Sequence, residues 1–342
     1  MIRGGEMSRV STNYLSGTLQ FGMADNRLKI AKYTEEITSG FKVITPADTA
    51  QPGLIAGLRE LDGRMQSHLD RMKTMRGGLE YQESVLGESE NVVQRALELA
   101  TQGANGTYTA ESRAKMAEEV FGLRDQLVSL ANSSYQGTYP FAGNQDDQPP
   151  FTTQTPSYTN PSTGPGSQRY GYTTLSGADG TRSAELSDTV SVRVNAVGSG
   201  VFGRAIEGLE RLGRALAGYR TDPSVTDPSA PPSPDGTGAA YTFPADNAAQ
   251  AADIRQTIDI LKSASSTQLG TERSSLGARL NKLQSARSVV EVAQVSARES
   301  LSGLQDADIA ESATNLSEAK TALEATMTVS GQVLRLTILD YL

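Results

Sequence analysis

Residues able to do chemistry are scarce in this chain. Among 342 residues there is no cysteine, no tryptophan and one histidine, His68. Thiolate nucleophiles, disulfides, Cys/His zinc sites and any Ser-His catalysis away from that single imidazole are therefore excluded. His68 lies seven residues after Leu61 and seven before Met75, a position where an imidazole packs or snorkels rather than reacts. Gly198-Ser199-Gly200-Val201-Phe202-Gly203 has the G-x-G-x-x-G spacing between a strand-like run and a helix-like run, the arrangement in which backbone N–H groups receive a pyrophosphate. Its context fails. A dinucleotide fold needs a second apolar strand ending in an acid about 20 residues on, and the chain has Thr221-Asp222-Pro223-Ser224 there. Asp146 and Asp147 lack the further oxygens of a calcium cage, Asp306 and Asp308 suit the cap and first turn of a helix, and Met65, Met72 and Met75 sit at core spacing. No catalytic, cofactor-binding or metal residue is expected, and a dinucleotide enzyme at Gly198 to Gly203 stays as a distant alternative.

With chemistry so thin, the elements carry the reading. Lys+Arg 31 against Asp+Glu 39 leaves a net charge of −8, which disfavours nucleic acid. No apolar run of about 18 residues exists to insert in a membrane, and no signal core with a cleavage site is expected at the start. Of the 14 prolines, 12 lie between Pro140 and Pro244, so the flanks can be helical and the middle cannot. In the first flank Leu58, Met65, Met72, Leu79, Leu86 and Val93 recur every seven residues. That period predicts one helix over 52–103, roughly 75 Å long. A turn at Asn105-Gly106-Thr107 folds a second helix back over 110–132. In the second flank Leu269, Leu276, Leu283 and Val290 keep the same interval, with Ile254, Ile258 and Leu261 leading in. The expected fold is mainly α: a long antiparallel helical rod or coiled-coil bundle over 50–138 and 245–302, with a small β-rich domain inserted at 139–244. Strand-like runs there are 168–175 and 189–197, a short helix is expected over 202–219, and the Pro-rich stretch 221–240 reads as a flexible loop.

Both extremities carry apolar stripes without an evident cover. Near the start these are Leu19, Met23, Ile30, Tyr33 and Ile37; near the end they are Ile309, Leu316, Leu323, Met327, Leu334, Leu339, Tyr341 and Leu342. Seams of this kind need partner helices. The first 45 residues hold six basic and four acidic side chains, and the last 44 hold two basic and seven acidic, so the two ends attract each other. Because a lone amphipathic helix is marginal in water, the segments 1–49 and 303–342 are expected to be disordered in the monomer and ordered on assembly.

Several motifs, taken in order, resemble one family. Met7-Ser8-Arg9-Val10-Ser11-Thr12 is similar to the start of flagellin-type axial proteins, and Thr38-Ser39-Gly40 through Thr45-Pro46-Ala47-Asp48 resembles their Ser-Gly to Pro-x-Asp turn. Tyr139-Pro140-Phe141-Ala142-Gly143 resembles the step into their variable region. Leu301-Ser302-Gly303-Leu304-Gln305-Asp306-Ala307-Asp308-Ile309 and the closing Leu336-Thr337-Ile338-Leu339-Asp340-Tyr341-Leu342 resemble the hook–filament junction family within that superfamily. Asp48-Thr49-Ala50-Gln51-Pro52-Gly53 departs from the flagellin continuation. The resemblance implies a structural, non-enzymatic subunit, exported by the flagellar type III apparatus without a cleaved leader and placed extracellularly in the bacterial flagellum. It implies as partners the first hook-associated protein on one side, flagellin on the other, copies of itself in a ring, and an export chaperone on the C-terminal segment. A flagellin paralogue is the nearest alternative; a cytoplasmic coiled-coil scaffold is a further one.

Overall fold

A computed structural model describes residues 5–152, 180–187, 190–218 and 247–339, with the backbone alone at 5–13, 15, 16, 187, 247, 249 and 333–339. Among these residues the helices are α1 (Gly5–Ser39), α2 (Pro52–Gly103), α3 (Ala110–Ala131), α4 (Gly198–Leu216), α5 (Asn247–Ser263), α6 (Gly270–Gln305) and α7 (Ile309–Leu339). One antiparallel pair of strands, β1 (Ser183–Ser187) and β2 (Val190–Arg193), completes them. The class is mainly α with a small sheet, and no helix of the described residues is long and apolar enough to cross a membrane. The chain divides into two compact units. The first holds residues 1–66 and 291–342 and the second 67–290, so α2 and α6 each contribute to both.

The second unit is built on the heptad row of α2. Met72, Leu79, Leu86, Val93 and Ala100 are at most 1% exposed, and each larger one of them removed from water contributes roughly 1.5–3 kcal/mol. α3 returns after a turn in which the Asn105 side chain accepts from the Thr107 N–H, and Thr109 caps it by accepting from the Ser112 N–H at 3.2 Å. Arg113 is fully buried at this corner. It donates to the Gly103 carbonyl (3.2 Å) and to Gln250 Oε1 (2.6 Å), and Gln250 in turn donates to the Ala215 carbonyl (2.8 Å). The Gly103 and Ala215 carbonyls near two helix ends thus gain side-chain donors.

α4 packs on both α3 and α5 and belongs to the helical core. It begins at Gly198, four residues before the expected start, because Val197 serves as its N-cap and pairs with Ala142. Phe141, 1% exposed, meets Phe202 edge-on with ring centroids 4.9 Å apart, which anchors the Tyr-Pro-Phe-Ala-Gly step beneath α4. Arg124 of α3 pairs with Glu210 of α4, both buried. Burial works against the Arg124 charge, the Glu210 carboxylate outweighs it, and the guanidinium is held above its usual value.

α5 and α6 are not one helix. Ile254 and Leu261 are seven apart, as are Leu269, Leu276 and Leu283, but Leu261 to Leu269 is eight. The π-helical turn Ala264–Leu269 takes up the additional residue. All five side chains consequently point inward, each at most 1% exposed. Val290 at the end of this row is half-buried. α6 is tied to α2 by Arg273, which donates to Glu83 (2.7 Å) and Glu90 (2.6 Å). These two carboxylates, Glu83 first, raise the Arg273 pKa.

Of the expected β-rich insert, the described part holds α4 and the hairpin in which Ser183 pairs with Arg193 and Ala184 with Val192. Leu186 and Val192 face the core. The run 168–175 and the loop 221–240 lie outside the described residues.

Candidate assembly surface

The first unit is organised around two connectors. α1 ends at Gly40, whose φ of 78° lies in the left-handed region that a Cβ disfavours. The chain then crosses to α2 through a short 3₁₀ turn, Pro46–Asp48, with proline at its start. Asp48 accepts from the N–H of Thr45 (2.6 Å), the Thr45 hydroxyl (2.8 Å) and the N–H of Ile44 (3.1 Å). These donors, the Thr45 N–H foremost, hold the Asp48 carboxyl below its ordinary value. The other connector, between α6 and α7, lies alongside. Lys42 N–H donates to the Gln305 carbonyl (2.8 Å), Ala307 N–H to the Gly40 carbonyl (2.9 Å), and Lys42 Nζ to the Gly303 carbonyl (3.0 Å). Arg59 of α2 donates to Gln305 Oε1 from Nε (3.0 Å) and Nη2 (2.6 Å). Asp308 caps α7 by accepting from the N–H groups of Ala310 and Glu311, while Asp306 accepts from the Ser302 hydroxyl.

From this clasp α1 and α7 run back side by side, packed on each other. Glu36 and Ser312, 7% and 5% exposed, face each other with the hydroxyl donating to Glu36 Oε2 at 2.8 Å. A Cβ on Gly22 would stand 3.8 Å from Thr326 Cγ2. The two contacts together make the pair antiparallel. The opposite net charges of the ends are not expressed as direct bonds: among the described residues, the ion pairs of these helices, Lys29–Asp25 and Lys32–Glu36, lie within α1.

The predicted stripes fall on this pair unevenly. Leu19, Met23, Ile30, Tyr33 and Ile37 of α1 are half-buried, as are Leu316 and Leu323 of α7. Ile309 and Met327 are exposed, at 56% and 52%. Leu334 and Leu339 lie on α7 where the backbone alone is described, and Tyr341 and Leu342 fall outside the described residues. Of the predicted rod core, Leu58 and Met65 lie in this unit and are half-buried. Among the described residues both terminal segments are largely helical and packed on each other, whereas disorder was the expectation for the monomer.

A second row on α1 went unread. Tyr14, Phe21 and Leu28 are 78%, 80% and 71% exposed. Their spacing of seven was visible in the sequence and puts them on one face. Val329 of α7 and Val292 and Val295 of α6 add exposed apolar surface. Water-facing rows of this kind mark places where another surface is meant to lie.

The remaining motifs have packing explanations. A Cβ at Gly198 would stand 2.8 Å from the Phe141 carbonyl oxygen and 3.2 Å from the Phe151 ring, so close approach accounts for the first glycine of the G-x-G-x-x-G run. Arg71 donates to His68 Nδ1 at 3.0 Å along α2. Among the described residues no group of three or more His, Asp or Glu side chains is placed to hold a metal.

With the geometry in hand, comparison with known proteins is informative at both ends. Residues 10–146 match the bacterial flagellin N-terminal helical region, and residues 258–342 match the bacterial flagellin C-terminal helical region. The chain is 29% identical to flagellar hook-associated protein 3 of Escherichia coli over 154 residues, which is 44% of this chain and 48% of that protein. It is 32% identical to flagellin B of Vibrio cholerae over 146 residues, 40% of this chain and 35% of that one. The chain thus spans about half the length, or less, of the curated relatives it matches. Among solved structures, flagellar hook-associated protein 3 of Legionella pneumophila superposes with a TM-score of 0.58 at 15% identity, covering 73% of this chain and 98% of that one. At that identity the likeness is one of fold.

Proposed function

We propose, from the premise that the chain belongs to the flagellin family, that it is a structural subunit of the bacterial flagellum serving as the adaptor at the hook–filament junction. It joins hook to filament by packing its terminal helices against neighbouring axial subunits: the first hook-associated protein on one side, flagellin on the other, and copies of itself in a ring. The subunit is exported by the flagellar type III apparatus, with a chaperone on its C-terminal segment, and acts outside the cell. It is not an enzyme; its activity is stacking.

One observation carries this reading. The apolar row Tyr14, Phe21 and Leu28 stands in water on a helix whose other stripe is half-buried. Burial of such a row on association is favourable by about 25 cal/mol per Å², which gives neighbouring subunits a reason to assemble. The segments 1–49 and 303–342 are therefore assembly segments, and 50–138 with 245–302 the supporting helical body around the insert 139–244. In the assembled state the half-buried and exposed residues of both stripes form the packing surface.

Deleting the coding region in the source bacterium tests the adaptor role: bare hooks are expected, and filaments of normal length on every hook would refute it. Truncation after Ser302 should leave the helical body folded by circular dichroism and stop incorporation onto hooks. A second reading, a flagellin paralogue, draws on the match to flagellin B. It requires long filaments when the purified chain is seeded, whereas an adaptor stops after a short layer.

A further inference from the structure

The apolar stripes that join α1 to α7 do not define their own alignment. Met23, Ile30 and Ile37 repeat every seven residues on α1, and Leu316 and Leu323 do so on α7. A slip of one heptad therefore brings stripe residues against stripe residues again. Within the helix pair Glu36 and Ser312 break that degeneracy, in the same register as the Gly40–Ala307 and Lys42–Gln305 bonds of the adjoining connectors. They are the buried polar residues of the two helices among those with described side chains, and they bond each other at 2.8 Å. The close approach of Gly22 to Thr326 reports the same register, since 36 lies fourteen residues beyond 22 and 312 fourteen before 326. A slip of seven sets Glu36 opposite Ala319 in one direction, which offers no side-chain donor, and opposite Gln305, outside α7, in the other.

We infer that Glu36 and Ser312 act as a register clip for the terminal helix pair. The carboxylate is buried where only the native alignment supplies the Ser312 hydroxyl, and Lys32 Nζ, 3.8 Å from Glu36 Oε1, offsets its charge from the solvent side. A polar group at one core position of a helix pair selects alignment in this way, because other alignments leave its cross-helix hydrogen bond unmade. The consequence reaches the outer surface. Register decides which residues of α7 stand beside Tyr14, Phe21 and Leu28, so the clip sets the composite face offered to a neighbouring subunit. That last step rests on the assembly reading above; the register itself does not.

The cysteine-free chain gives a clean test, made on the full-length protein without hooks so that its outcome is separate from that of any incorporation assay. Gly22→Cys is combined with Thr326→Cys to read the native register, or with Val333→Cys to read the slip that sets Glu36 opposite Ala319, and disulfide yields are compared. The first pair should be favoured in the parent chain and in Glu36→Gln, whose amide oxygen still accepts from Ser312. Glu36→Leu should cut that preference about tenfold or more, the penalty of the slipped register having gone. An unchanged preference in Glu36→Leu overturns the clip. So does the absence of any preference in the parent chain, and so does loss of both crosslinks in Glu36→Leu, which would make Glu36 a condition of pairing rather than of alignment.

Discussion

Two regions of this chain use the same seven-residue spacing and bury it differently. In the unit spanning residues 67–290, the α2 row from Met72 to Ala100 is at most 1% exposed. On α1, Tyr14, Phe21 and Leu28 repeat at the same interval and are 71–80% exposed. The period tells which residues share a face; what lies against that face is decided elsewhere in the chain or by another chain. One region is closed upon itself and should answer mutation with lost stability. The other is open and should answer with lost association.

The largest loss of stability is expected at the buried pair of the closed unit. Arg124→Ala leaves Glu210 buried with its main counter-charge gone and should cost about 3–5 kcal/mol. Chemical denaturation followed by circular dichroism checks this, and a change under 1 kcal/mol would place that unit's stability elsewhere. Next come two deletions that contrast positions on one stretch of chain. Removing exposed Ser266 from the π-helical turn should let that turn become ordinary α-helix and keep Leu261 and Leu269 in phase. Removing exposed Ser285 from within α6 rotates everything beyond it by about 100° relative to the row before it. Melting temperatures should stay close to the parent for the first and fall sharply for the second.

A smaller and more local effect belongs to the connector. The Asp48 pKa is depressed by the donors around it, so its contribution to the turn is present above the ordinary value of 3.8 and is lost as pH falls through the lower folded value. Amide exchange at Ile44 and Thr45 should accelerate in that acid window. Asp48→Asn should show faster exchange already at neutral pH and no further acid step.

The fold was legible where spacing and punctuation agree. Pro52 and Gly103 bound α2 as read, and Asn105-Gly106 turns the chain into α3. The π-helical turn was present in the sequence as an interval of eight among intervals of seven, but a reading that looks for rows sees the row and passes over the offset. α4 was expected from Phe202 and starts at Gly198, where the Phe141 carbonyl and the Phe151 ring leave no room for a side chain. At the terminal pair the half-buried stripe was found through its 3-and-4 spacing. The row Tyr14, Phe21 and Leu28 was missed because an amphipathic search assigns each helix one apolar face, and α1 carries two. The Glu36–Ser312 contact had no signal in the sequence, since both residues look like solvated positions until the opposite helix is in place.

The most direct test of the open face is the triple variant Tyr14→Ser, Phe21→Ser, Leu28→Ser, assayed for incorporation onto purified hook ends beside the parent chain. These exposed substitutions should each change stability by no more than about 0.5 kcal/mol, so the melting temperature should hold while incorporation is lost. Incorporation at the parent level would contradict the account, for it would mean that the uncovered row of α1 is not where neighbouring subunits bind.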